Sequence, residues 1–388
     1  LAANGQNLGQ RFPMPIVPYG ASRRHPVDVN WPQDLPISGD PFFDHHNVDA
    51  YAENYMLSIQ RQLTGSTVLS VSYVGTQSHH MLVLVEDNPG NPALCLSLSQ
   101  PSDVAPGSPT CGPFNESATF TTRTGAVIQG TRAPLGPQFS SDSNQISANN
   151  SHYNALQLTL QRNAGSRQFL LGYTFSKSID QSSSLAEQLN PSNYSLTRAV
   201  SSFDVTQNFI ASYDETLPLQ HLFHHRNLWT TGWELSGVTR FSTGFPVTLF
   251  NNNDTSLLGT IPNGINNNGV DTPQVAPGPL QVNHNPRNGR PAFNYPLFGL
   301  PPLGQNGNTR RRYFYGPGAE NFDVALIKNV ELPKTRSIQL RLETFNLLNH
   351  GQFFGAAAVN GNISSDEFGQ FVNAAPPRII QLAVKFAF

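Results

Sequence analysis

The residues best suited to chemistry in this chain are its histidines, acids and cysteines. His45-His46, His79-His80 and the run HLFHH, with His221, His224 and His225, offer imidazoles of the kind that hold transition metals. Neighbouring residues of an extended chain point to opposite faces, so a His-His pair on a strand rarely serves one ion. Solvated polar residues are the simpler reading. The stretch 251–271, NNNDTSLLGTIPNGINNNGVD, is rich in the oxygen donors that calcium takes, but ordinary turn chemistry explains it better. No GxSxG, HExxH or phosphate-cradling glycine motif occurs. The expectation is no catalytic residue, no metal, no cofactor and no enzyme activity.

Two cysteines remain, Cys95 and Cys111, in CLSLSQPSDVAPGSPTC. A pair closing one loop in an otherwise cysteine-free chain suggests a disulfide in an oxidising compartment. Two unrelated free thiols are the alternative. Metal binding needs more ligands than this stretch has.

The elements that must position these residues are strands. Of 388 residues only 12% are charged, about half the usual share. Gly and Pro number 31 each and Phe 25, so the composition is not helical, and it is too aromatic for disorder. The net charge of −2 gives no basic excess, so nucleic acid is not an expected partner. No apolar run is long enough for a transmembrane helix. A transmembrane strand needs only about 9–11 residues with every second one apolar. The chain opens on LAANGQ with neither Met nor a leader pattern, which reads as a removed signal or a piece of a longer protein.

Period-two alternation marks nine strands, near 52–63, 67–76, 153–163, 167–177, 205–215, 231–242, 321–331, 335–346 and 378–388. Their connections alternate between tight and long, the longest being 77–152 and 246–320. Antiparallel neighbours put successive connections at opposite ends, so one end is tight and the other carries the long loops. That is the layout of an outer-membrane β-barrel, with short periplasmic turns and long extracellular loops. Arg61, Arg162, Arg167, Lys328 and Arg336 share the parity of the apolar faces and sit at the short-turn end. Long basic side chains there lay their stems on lipid and lift their charges to the headgroups. On the polar faces lie Glu234, Arg240, Asp323, Arg341, Glu343 and Lys385, which would face the lumen and a plug. The last strand alternates Ile380, Leu382, Val384, Phe386 and Phe388 against polar and small residues.

The stretches YMLSIQRQLTGSTVLSVSYVGTQSHH, FLLGYTFSKSID, GWELSGVTRFSTGFPVT, NFDVALIKN, LRLETFNLLNH and FGQFVNAAPPRIIQLAVKFAF resemble the C-terminal half of Oar-like TonB-dependent outer-membrane proteins. These are common in Acidobacteria-type genomes and often carry an N-terminal carboxypeptidase-regulatory-like domain. The resemblance covers 50–388 and rests on the order and spacing of the stretches rather than on one motif. It implies a 22-stranded barrel with an N-terminal plug and a TonB-contacting segment, neither of which is in this sequence.

The fold expected is therefore all-β: an antiparallel transmembrane β-barrel, here its C-terminal part of about nine strands. Residues 1–48 form a loop-rich lead-in and 49–388 the barrel portion. Nine is an odd count, which fits the last part of an even-stranded barrel. The expected role is solute uptake or export through a plugged barrel in the bacterial outer membrane, with the C-terminus periplasmic. Partners would be outer-membrane lipid, the plug and remaining strands of the same protein, the TonB complex, the barrel assembly machinery and an unidentified solute. The terminal Phe388 resembles the signal that assembly machinery reads. Ligand capture would fall to loop aromatics: Phe114, Phe120, Phe293, Tyr295, Phe298, Tyr313, Phe314 and Tyr315. The rival reading is a surface-displayed binding or adhesion protein, either a barrel or a secreted β-sandwich.

Overall fold

The computed structural model describes residues 2–3, 6–7, 37–133, 135–136, 139–165, 167–185, 187–260, 270–333 and 336–388. Parts of four expected features lie outside these: Lys334 of one tight turn, Thr335 at the start of the strand that follows, residues 261–269 of the Asn/Asp/Gly loop, and most of 1–36.

Among the described residues nine long strands form one open antiparallel sheet in chain order. They are β1 (Tyr51–Thr64), β2 (Thr67–Glu86), β3 (Phe139–Ala164), β4 (Arg167–Asp180), β5 (Gln207–Thr216), β6 (Trp233–Ser242), β7 (Ala319–Leu332), β8 (Arg336–Phe345) and β9 (Ile379–Ala387). All nine strands read from the alternation are present. Among the described residues β1 pairs only with β2, and β9 only with β8, so the sheet has two free edges. Among the described residues no helix is long and apolar enough to cross a membrane.

The register puts like with like. Leu326 of β7, Leu342 of β8 and Leu382 of β9 stand directly opposite one another on the apolar face. Leu69, Leu160 and Leu171 make a second such rung across β2, β3 and β4. Slipping any strand by one residue would swap its faces, so this pattern fixes the register wherever one face meets lipid. Two glycines on the apolar face make room for tyrosines. A Cβ on Gly75 would lie 2.1 Å from the Tyr55 ring, and one on Gly237 would lie 2.7 Å from the Tyr213 hydroxyl. Each ring thus covers bare backbone on the neighbouring strand.

β2 and β3 run well past the stretch their alternation announced, to Glu86 and from Phe139. Their far ends leave the barrel wall and enter a folded cap built from the long connections. A further strand, Ile37–Phe43, lies parallel to the start of β3, with Ile37 opposite Phe139 and Phe43 opposite Gln145. Its sequence, ISGDPFF, carries Gly and Pro and shows no alternation, so local pattern did not announce it.

The cap has cores of its own. Val247, Leu249, Phe293, Phe298 and Phe314 of the β6–β7 connection bury with Val359 and Phe368 of the β8–β9 connection. Phe293 packs edge-on against Phe298, Phe314 and Phe368 at centroid distances of 5.3, 5.0 and 5.4 Å. A second core gathers Cys95, Leu98, Val104, Cys111, Phe120 and Leu257. It is seeded by a short helix α1 (Pro92–Leu96), whose Asn91 side chain accepts the Leu94 N–H at 3.1 Å and whose first position is proline.

Candidate functional site

Three surfaces could carry function: the apolar wall, the polar wall behind it, and the cap. On the apolar wall the side chains stand bare. Leu57 is 67% exposed, Leu382 78% and Val384 73%, values a water-facing sheet does not sustain over a continuous band. Ile380 and Phe386 are exposed on the same face, and Phe388 stacks beside Phe386 at 5.9 Å.

The five cations lie on this face by register. Arg61 opposes Leu69, Arg162 opposes Phe169, and Lys328 lies between Trp233 and Leu340. Arg336 opposes Leu332, and Arg167 pairs with Glu215 at 3.6 Å. Lys328 differs from the rest. It is buried, its ammonium donates to the Thr231 carbonyl, and it sits 5.4 Å from the centre of the Trp233 ring. It tethers the β5–β6 connection instead of reaching outward.

The six polar-face residues share the opposite face by the same register. Glu234 and Arg341 each oppose Ile327, and Glu343 opposes both Ala325 and Gln381. Arg341 reaches Glu343 at 2.8 Å. The Asn329 amide donates to Glu234 at 3.4 Å and its oxygen accepts from Gln339, opposite Lys385, at 2.9 Å. Higher up, Arg240 donates to Asn208 at 3.1 Å and stacks on Phe354 at 5.0 Å, while Asp323 accepts the Asn346 N–H at 2.8 Å. The β8–β9 connection therefore leans onto the polar face, over the mouth.

The cap is held by buried charge. Arg312, 1% exposed, pairs with Glu187 and donates to Thr248 at 2.8 Å. Arg311 lies 3.4 Å from Glu187 and 3.7 Å from Asp180. Burial pulls both guanidinium groups down to about 10, against the Asp180 charge that opposes the shift. This network ties the β6–β7 connection to the top of β4 and the loop that follows it. A second network centres on Arg132, which lies 3.9 Å from Glu86 and 3.7 Å from Glu116 and donates to the carbonyls of Asn88 and Gly259. Asp254 accepts the N–H groups of Phe114 and Gly259 at 3.1 and 3.0 Å. Burial, then the adjoining Glu116 carboxyl, pushes Asp254 up to about 8. Burial pushes Asp271 up to about 6.

Cys95 and Cys111 are bonded, with Cα atoms 5.2 Å apart, and the pair is buried in the second cap core. The loop aromatics divide. Phe120, Phe293, Phe298 and Phe314 are buried in the cap cores and are not a capture surface, whereas Phe114, Tyr295 and Tyr313 are exposed. Tyr315 donates to Asp204 at 2.6 Å. Nothing local marks which of these aromatics go inside, because the cap cores join connections far apart in sequence.

His45 and His46 lie in a turn rather than on a strand, so the opposite-faces argument does not apply to them. Their rings sit 3.7 Å apart, and with Asp44 they form the one group of three potential ligands within reach of a single ion among the described residues. Both imidazoles point to solvent. His79 stacks on Tyr51 at 5.1 Å, and His80 takes a left-handed φ of 56° at the irregularity in β2.

An antiparallel sheet with a bare apolar face, a polar face behind it, tight turns at one end and folded loops at the other is the wall of a membrane β-barrel. Sequence comparison agrees: residues 5–381 match the outer membrane beta barrel domain, and the chain belongs to that family. No curated protein matches it. Among solved structures it is similar to the outer membrane transporter YddB from Escherichia coli, at 8% identity and a TM-score of 0.40. The match covers 89% of this chain and 33% of that one, so the chain spans about a third of that transporter's length.

Proposed function

We propose that this chain is the C-terminal part of the wall of a plugged, TonB-dependent outer-membrane transporter of the Oar-like type. In that reading the tight turns and the C-terminus face the periplasm and the cap faces outward. The observation that carries it is the pair of free edges on a two-faced sheet. Unpaired edge strands do not persist in lipid, so further strands must pair with β1 and β9. Glu234, Arg240, Asp323, Arg341, Glu343 and Lys385 then line the lumen and meet a plug through charge and hydrogen bonds. The wall does no chemistry; energy would reach the plug from the inner membrane through TonB.

The test uses the full-length gene product. Outer membranes from expressing cells are extracted in detergent, and gel mobility is compared before and after boiling. We expect heat-modifiable mobility and capture by immobilised TonB periplasmic domain. A water-soluble monomer would sink the barrel. A heat-modifiable protein that ignores TonB would retain the barrel and remove the transport mechanism.

A further inference from the structure

A cavity of about 610 Å³ opens on the outside of the wall, at the loop end of β4 to β7. That is within the roughly 300–1,000 Å³ typical of ligand sites. Its floor is aromatic. Tyr173, Phe209 and Phe241 are successive cross-strand neighbours on the apolar face, with Phe209 and Phe241 at 6.3 Å and Phe241 edge-on to Phe322 at 5.4 Å. Its outer rim is the tip of the β6–β7 connection, His284 to Arg287, which hangs over the wall rather than over the mouth.

That tip is held in shape by its own amides. Asn283 accepts the Asn285 N–H at 3.0 Å, Asn285 accepts the Arg287 N–H at 3.1 Å, and the Asn283 and Asn288 amides bond to each other. Arg287 and His284 are thereby presented, exposed, above an apolar floor. The one carboxylate in the lining, Glu320, lies 3.8 Å from the His350 imidazole.

We propose that this cavity holds a phosphate-bearing lipid of the outer leaflet, its acyl chain along Tyr173, Phe209 and Phe241 and its phosphate on Arg287 and His284. A guanidinium takes phosphate with two parallel bonds, and an aromatic floor suits a chain but offers a free sugar or ion little. The floor also belongs to the face that meets lipid, so a water-borne ligand would have to enter from the membrane side. This inference rests on the proposed orientation, with the loop end outward.

The test is lipid retention by the full-length protein purified from outer membranes in mild detergent, read by native mass spectrometry. The probes are a bis-phosphorylated lipid A, its dephosphorylated form and soluble glucosamine 6-phosphate. We expect the phosphorylated lipid to be retained, and Arg287→Gln to weaken it about tenfold, the loss of one charged hydrogen-bonding group. Phe209→Ala should weaken both lipid forms alike, whereas Arg287→Gln, on an exposed tip, should spare the fold. Equal binding by Arg287→Gln and wild type overturns the site, as does equal binding of the dephosphorylated lipid. Displacement by glucosamine 6-phosphate at matching affinity overturns the lipid assignment. Heat-modifiable mobility is measured on the same samples. If it holds while retention fails, only this inference falls; if it is absent, both readings fall.

Discussion

Asp254 gives the cap a pH dependence that can be worked out from its surroundings. Its two oxygens accept the backbone N–H groups of Phe114 and Gly259, and the neighbouring Glu116 carboxyl has no hydrogen-bond donor of its own. Asp254 therefore holds a proton up to about pH 8 in the fold, against 3.8 when free. The folded state binds that proton more tightly than the unfolded one. The associated stability is full below the free value, falls through the interval and is lost as pH rises through the folded value. Asp142 and Asp271 are raised only to about 6 and burial also raises Glu86, so the effect is read at the two amides that Asp254 itself accepts. At about 1.4 kcal/mol per pH unit, the cap should lose about 2–3 kcal/mol between roughly pH 6 and 8. Asp254→Asn does not titrate. Its amide keeps one of the two backbone donors and leaves the other unpaired, at about 1–3 kcal/mol. The variant should be the weaker of the two near pH 6 and match wild type near pH 8, because wild type declines to meet it. Hydrogen exchange at the Phe114 and Gly259 amides, corrected for intrinsic rates, reads this directly. Protection that stays flat in wild type, or a slope that survives in Asp254→Asn, refutes the assignment.

Three further outcomes follow from the wall and the cap. Deleting Phe388, or replacing it with Asp, should lower assembly into outer membranes far more than trimming residues 1–5, measured as the heat-modifiable fraction; equal assembly refutes the role of the last strand's ending. Leu382→Lys, at the middle of β9 on the bare face, should destabilise the refolded barrel by about 2–4 kcal/mol in lipid, against little change for Gln381→Lys on the other face. Cys95→Ser should weaken the cap by about 3 kcal/mol on the loop-closure account of a 16-residue separation, seen as new protease nicking between the two positions. Unchanged nicking would mean that the surrounding core suffices without the bond.

The barrel strands were legible because lipid imposes a rule on every second residue. Ile380, Leu382, Val384 and Phe386 cannot be polar without penalty, so the period survives in the sequence. Above the membrane that rule lapses. The first half of β3, FSSDSNQISANN, still pairs with β2, but through two register shifts and against folded loops, and no alternation remains. The cap hid for the same reason. Phe293 and Phe368 lie far apart in sequence, and Arg312 finds Glu187 from a different connection, so neither burial nor pairing leaves a local mark. Reading the loop aromatics as a capture surface treated them as solitary residues, when four of them hold the loops together.

The strand directions constrain how the wall closes. β1 runs from the loop end to a tight turn, and each following strand reverses it, so β9 runs the same way as β1. Bringing these two edges together would make a parallel seam in an otherwise antiparallel barrel. Bacterial single-chain barrels avoid this by having an even number of strands. An antiparallel closure therefore needs an odd number of additional strands between β9 and β1. The same count would widen the ring beyond what nine strands enclose, and the proposed plug would need that room. The odd strand count thus sets a condition on the architecture: among the described residues the wall is open, and an antiparallel closure needs further strands.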